Sequence, residues 1–231
     1  MSTAILIDGG FFHQKYRMAF GQQPADQVAK YLNSYCYRHL NERVMNDYKG
    51  NYKSQRYEQT RDLYRIFYYD CAPLDKIVNH PLKGNVDLSK QATYQWMNEF
   101  LDELKKKRKF ALRLGELSVN RSGYILTPKA QRAVLAGRKK VKNLTEKDFR
   151  LDVEQKGVDM RIGLDIASLA YKKQVDQIVL IAGDSDFVAA AKLARREGID
   201  FILDALYNNV KPNLLEHIDG LNSCDITFKL D

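Results

Sequence analysis

The sequence predicts an α/β fold, a three-layer α/β/α sandwich around a mainly parallel sheet of about five or six strands. Three observations carry that reading. Short apolar runs alternate with segments of helical period, the pattern of βαβ units. Two of the runs, Ala4-Ile5-Leu6-Ile7 and Ile178-Val179-Leu180-Ile181-Ala182, are unbroken, as strands buried on both faces are. Both stop at an acid beside a glycine, in Ile7-Asp8-Gly9-Gly10 and in Gly183-Asp184-Ser185-Asp186-Phe187. In a parallel sheet the carboxyl ends of the strands share one edge, and ligands bind there.

Taken in order, residues 4–8 form the first strand, and Gly9-Gly10 a turn that lets backbone approach closely. Residues 11–19 continue as a helix. Val28, Leu32, Tyr35, Cys36, His39, Leu40 and Val44 recur at helical spacing and predict a long helix over 25–47. The polar stretch 48–62 reads as a loop. Leu63 to Cys71 is rich in β-favouring types and forms the second strand. Residues 74–87 are loop, and 88–107 a helix closing in Lys105-Lys106-Lys107-Arg108-Lys109. Cations suit a helix C-terminus, so that run has a local explanation beside a nucleic-acid one.

Residues 110–117 are the third strand, and 118–127 a hairpin turning at Asn120-Arg121-Ser122-Gly123. A second basic concentration follows over 128–150, with Lys139, Lys140 and Lys142. Then come a helix over 158–171, a strand over 176–184 and a helix over 186–197 that ends at Gly198. A strand over 200–206, a short helix over 212–219 and an edge strand over 226–230 complete the reading. All 231 residues read as a single domain with an elaborated insertion around 22–150.

Composition narrows the function. Net charge is +8, with 37 Lys and Arg against 29 acids, which favours a polyanionic partner. Of 14 tyrosines, 11 precede residue 95, and aromatics among basic residues suit stacking on single-stranded bases. The competing reading places them half-buried on helices. No apolar run reaches the roughly 20 residues of a membrane helix, so no membrane partner is expected. The chain enters a strand almost at once, which argues against a signal peptide. Cys36, Cys71 and Cys224 are odd in number and far apart, so a reducing, cytoplasmic setting is expected. A homo-oligomer is compatible with all of this.

The acids carry the chemistry. Asp8 ends the first strand, Asp184 the strand at 176–184, and Asp186 opens the helix after it. Asp159 lies on the stripe with Ile162, Gly163, Ile166 and Ala170, which is expected to face the sheet. Asp165 is turned about 120° from Asp159 around the same helix. Each acid alone could be a helix cap. Four converging carboxylates would repel one another unless compensated. Mg²⁺ or Mn²⁺ is the usual compensation, and such ions serve phosphodiester hydrolysis.

These residues resemble the NYN domain, a LabA-like branch of the PIN-like nucleases. The resemblance rests on Ile7-Asp8-Gly9, on Lys156-Gly157-Val158-Asp159 with Asp165, and on Gly183-Asp184-Ser185-Asp186-Phe187, in that order. It implies a PIN-like fold, a divalent-metal site and ribonuclease activity on single-stranded or structured RNA. It makes Asp8, Asp159, Asp184 and Asp186 the catalytic and metal-site acids, with Asp165 and Lys156 as accessories. Lys107, Arg108, Lys139, Lys140 and Lys142 are the candidate nucleic-acid contacts. Phe11 stands where many members carry asparagine. The alternatives are an RNA-binding or regulatory protein on the same fold, without turnover, and a small-substrate phosphatase. A haloacid-dehalogenase-type phosphatase would want an acid where Gly10 stands.

Overall fold

A computed structural model describes residues 1–45 and 55–229. In chain order the elements are β1 (Ser2–Asp8), α1 (Gly9–Phe20), α2 (Ala25–Arg38), β2 (Asn41–Met45), β3 (Gln55–Gln59), β4 (Asp62–Cys71), β5 (Ile77–His80) and β6 (Gly84–Asp87). Then follow α3 (Ala92–Lys105), β7 (Phe110–Leu126), α4 (Pro128–Leu135), β8 (Phe149–Lys156), α5 (Val158–Tyr171), β9 (Gln177–Ile181), α6 (Val188–Arg196), β10 (Asp200–Asp204), α7 (Pro212–Leu215) and β11 (Gly220–Leu221).

The fold is α/β, with a mainly parallel seven-stranded sheet in the order β11-β10-β9-β1-β4-β7-β8. The expected strand count of five or six is thus exceeded. Pairings of β1 with β4 and β9, and of β10 with β9 and β11, are all parallel. β8 runs antiparallel to the far part of β7.

The chain divides into two compact units. The first holds Met1–Asp70, Glu99–Leu114 and Gly157–Asp231; the second holds Cys71–Asn98 and Gly115–Lys156. In the first unit Ala4 to Ile7 and Ile178 to Ile181 are essentially inaccessible. Such runs require cover on both faces of the sheet. One face carries α5 and α6, with Ile162, Ile166, Leu169, Ala191 and Ala194 inward. The other is aromatic. Tyr16, Phe20, Tyr31, Tyr35 and Phe228 form one cluster, with ring centroids 4.8 to 6.1 Å apart. Each fully buried large side chain here stabilises the fold by about 1.5–3 kcal/mol. Four of the early tyrosines are therefore structural: Tyr16, Tyr35, Tyr68 and Tyr69 are buried. Tyr48 and Tyr52 lie outside the described residues.

The second unit has a small core. His80 packs edge-on against Tyr124 and Phe149 at 4.6 and 5.3 Å, with Leu88 and Ala130 also buried.

Several boundaries differ from the sequence reading. The helix over 25–47 stops at Arg38, and Asn41–Met45 pairs with Gln55–Gln59 in an antiparallel ribbon. Residues 46–54, the end of the expected helix and the first part of the expected loop over 48–62, lie outside the described residues. The expected loop over 74–87 contains the β5–β6 hairpin. The expected turn at Asn120 to Gly123 is a bulge, because β7 continues through it and pairs with β8, with a register shift between Val119 and Tyr124. Gly123, at φ 63°, supplies the left-handed residue such a bulge uses. The expected strand at 226–230 is a 3₁₀ turn over Ile226–Phe228, and Leu230 lies outside the described residues; Gly220–Leu221 is the edge strand instead. Among the described residues no helix is long and apolar enough to cross a membrane.

Candidate active site

The register of the first unit brings the acids to one edge. Asp8 is the last residue of β1 and lies level with Tyr69 on β4. Ile7 is level with Ile181 on β9, and Ile181 with Asp204 on β10. Asp8, Asp70, Asp184 and Asp204 therefore all stand at the carboxyl ends of adjacent strands. α5 begins at the same edge, with Asp159 in its first turn.

Asp8 caps α1, its Oδ1 accepting the Phe11 N–H at 3.1 Å. Burial raises its pKa to about 6. The Phe11 bond works against burial, and the Asp159 and Asp70 carboxylates add to it. Asp159 is raised as well, first by desolvation and then by Asp184 and Asp186. Asp159 thus links two groups of acids, Asp8 with Asp70 on one side and Asp184 with Asp186 on the other. It does so from an exposed position. The inward stripe of α5 consists of Val158, Ile162, Ile166, Leu169 and Ala170, and Asp159 stands at its rim. The expectation of a sheet-facing Asp159 is corrected accordingly: the first turn projects past the strand ends, which leaves the carboxylate exposed on one side and partly desolvated on the other.

Asp184 and Asp186 are exposed at the 3₁₀ turn Ser185–Phe187. Asp184 Oδ1 accepts the Asp186 N–H at 3.1 Å, so the capping role and the edge position coexist. Close contacts fix this corner. A Cβ on Gly183 would strike the Phe11 ring, with Cδ2 at 2.7 Å. Phe11 thus packs on the Gly183 backbone. A Cβ on Gly9 would meet the Tyr68 hydroxyl and Asp70 Oδ2, the latter at 2.6 Å.

The sequence places His13 near the Asp8 corner, as a structural histidine or an aid to the acids, whereas Asp70 and Tyr68 escaped the sequence reading. The Tyr68 hydroxyl donates to Asp70 Oδ2 at 2.8 Å and lies 2.9 Å from His13 Nε2. Burial and Arg17 lower His13 to about 4, so its ring is neutral. The Tyr68 proton is committed to Asp70, so His13 Nε2–H donates to the Tyr68 oxygen. The available signal was Asp70 itself, an acid at the end of a strand of the same kind as β1.

The remaining predicted residues each have local surroundings of their own. Asp165 Oδ2 accepts from the Tyr69 hydroxyl at 2.7 Å and from Arg113 Nε at 3.1 Å, and the Arg113 guanidinium lies 5.2 Å from the Phe67 ring centre. Lys156 is exposed at the end of β8. Lys139 donates to Asp148 at 2.6 Å, while Lys140 and Lys142 are exposed. In the run Lys105–Lys109, Lys105 and Lys106 pair with Asp102 and Glu103, and Lys109 bonds the Leu63 carbonyl; Arg108 is exposed and Lys107 half-buried.

Carboxylate oxygens suit hard divalent cations, and the raised pKa values of Asp8 and Asp159 are what an added cation would relieve. Among the described residues, however, no three His, Cys, Asp or Glu side chains stand in a ready-made metal-holding group. The fit is one of donor chemistry and charge, not of preformed coordination.

No curated protein matches the chain. A crystal structure of a protein of unknown function from Vibrio parahaemolyticus superposes with a TM-score of 0.49 at 15% identity, over 98% of this chain and 94% of that one. The family model described as the NYN domain matches residues 94–217, a little over half of the chain. The match takes in Asp159, Asp165, Asp184 and Asp186 and begins after Asp8 and Asp70. The chain belongs to the NYN domain family, of the PIN-like kind.

Proposed function

We propose that the protein is a metal-dependent ribonuclease that hydrolyses RNA phosphodiester bonds at the edge formed by Asp8, Asp159, Asp184 and Asp186. Family membership points to a nuclease of the PIN-like kind with a nucleic-acid substrate, and NYN nucleases typically use divalent metals. The observation that carries the finer reading is electrostatic. Burial and neighbouring carboxylates disfavour ionisation at Asp8 and Asp159. Evolved folds rarely leave such repulsion uncompensated unless a ligand supplies the charge.

Asp8, Asp159, Asp184 and Asp186 would hold Mg²⁺ or Mn²⁺. The bound ion would supply a Lewis acid for the phosphoryl oxygens and a water of lowered pKa. The chain's own residues do the positioning. The Phe11 N–H fixes one Asp8 oxygen. The His13–Tyr68–Asp70 relay holds a second carboxylate beside Asp8 and makes Asp70 a candidate fifth member of the set. Phe11, packed on Gly183, fixes the corner between β1 and β9. Lys156, Lys140, Lys142, Lys107 and Arg108 are cations for the RNA backbone, which would make binding weaken as salt rises.

Cleavage of a fluorescent RNA in Mn²⁺ tests the reading. Asp184→Asn and Asp8→Asn are each expected to lower the rate by about 100-fold or more, a loss near 3 kcal/mol in the barrier. Cleavage that survives both changes would overturn the assignment. RNA binding without cleavage across a metal series would support a binding protein instead.

A further inference from the structure

A second site lies in the first unit, built on the one edge acid that the proposed metal set does not use. Asp204 ends β10 and is fully buried, as is its partner His39 just beyond α2. His39 Nε2 lies 3.0 Å from Asp204 Oδ2. The Tyr35 hydroxyl donates to the same oxygen. Asp204 Oδ1 accepts from Ser223 Oγ at 2.5 Å and from the Leu206 N–H at 2.9 Å. Every lone-pair direction of the carboxylate is thus occupied. His39 differs: its Nδ1 is buried and has no hydrogen-bond partner among the described residues. A buried ring nitrogen without a partner is costly, and such groups in native folds call for a ligand or water.

His39 lines a cavity of about 940 Å³, within the range of small-molecule sites. Arg38 and Arg61 line it as well, with Val179 and Ile202 as apolar floor and Tyr207 at its margin. Arg38 is braced by Asp225 at 2.9 Å, and its guanidinium lies 5.8 Å from the Tyr31 ring centre. Tyr207 is half-exposed, and both it and Leu206 hold left-handed φ values of 59° and 45°. Non-glycine residues in that region are strained, and here the strain sits in the segment that presents Tyr207. The charge of the imidazole suits an anion. Burial pulls its pKa down, but Asp204 and the Cys224 sulfur outweigh burial and push it up to about 9.

We propose that this cavity binds a phosphate monoester, with Arg38 and Arg61 taking the phosphate, the buried His39 cation adding charge from beneath the cavity wall, and Tyr207 holding the attached nucleoside. Guanidinium forks match phosphate oxygens, and an aromatic face beside them suits a base. The phosphate monoester could belong to a free nucleotide or to the 5′ end of an RNA strand. The site does not depend on the nuclease reading, because none of its residues is among the proposed metal ligands.

Calorimetry on the full chain in EDTA tests it. The probes are 5′-AMP, adenosine, and one RNA oligonucleotide carrying either a 5′-phosphate or a 5′-hydroxyl. Adenosine and the 5′-hydroxyl RNA are expected to bind at least about tenfold more weakly than their phosphorylated forms. Preference confined to the RNA pair identifies a strand end, and preference confined to AMP identifies a free nucleotide. Arg38→Gln and Arg61→Gln should each weaken the phosphorylated probe about tenfold and leave adenosine unchanged. His39→Gln should do the same where circular dichroism shows the fold intact. Equal binding with and without the phosphate, or binding indifferent to both arginine changes, overturns the proposal.

Discussion

Asp8 and Asp204 occupy equivalent places, each ending a parallel strand at the same sheet edge, yet their surroundings are opposite. Asp204 is saturated by a tyrosine, an imidazole, a serine and a backbone N–H. Asp8 has only backbone N–H donors, those of Phe11 and Gly10, and faces other carboxylates. A saturated buried acid stabilises a fold by holding distant segments together. An under-compensated one costs stability and is kept for what it can bind. The position of an acid on the fold therefore does not decide its role; its partners do.

The largest effect should come from breaking the saturated acid. Asp204→Asn leaves the His39 cation buried and unpaired, and should cost about 3–5 kcal/mol in urea unfolding. An unchanged midpoint would break the contrast. The same substitution at the other corner should act in reverse. Folding raises Asp8 from the ordinary value of 3.8 to about 6, so its ionisation opposes folding. In wild type the stabilising contribution of the neutral carboxyl is complete below pH 3.8 and lost as pH rises through about 6. Asp8→Asn removes that loss and should gain on the order of 2 kcal/mol at pH 7 in EDTA, with no gain below pH 3.8. Mn²⁺ should raise the melting temperature of wild type and not of the variant.

Gly183→Ala sharpens the comparison by disturbing the corner without touching a charge. The new methyl would displace the Phe11 ring and should cost about 1–3 kcal/mol by thermal unfolding. A pH titration of stability at the alkaline end reports the saturated site. His39 is raised from 6.5 to about 9, so its stabilisation is complete below pH 6.5 and lost as pH rises through about 9. A His39→Gln variant should lack that alkaline decline. The smallest effect belongs to the surface: Lys105→Ala and Lys106→Ala remove solvent-exposed pairs and should leave the melting temperature unchanged.

Much of the fold was legible because it is written locally. The unbroken runs of β1 and β9, the helical period of α5 and the glycine after α6 each lie within a few residues. What was missed depends on pairing. β5 and β6 are four residues each, too short to show a period, and hold together only as a hairpin. β7 runs for 17 residues because β8 pairs with its far part, past a stretch that reads as a turn. In the candidate site, the acids at 8, 159, 184 and 186 were visible as acids beside strand ends and a helix start. Asp70 sits at the same kind of strand end but is followed by cysteine rather than glycine, and no turn signal marked it.

By itself, then, the sequence determined which strands are buried, where their carboxyl ends fall and that acids stand there. It did so because apolar runs and glycine turns act over a few residues. Only the tertiary structure decided which of those acids are satisfied. Tyr35 and His39 reach Asp204 across 169 and 165 residues of chain, and Tyr69 and Arg113 reach Asp165 across 96 and 52. Hydrogen-bond saturation is set by neighbours in space, and no local pattern in the chain carries it.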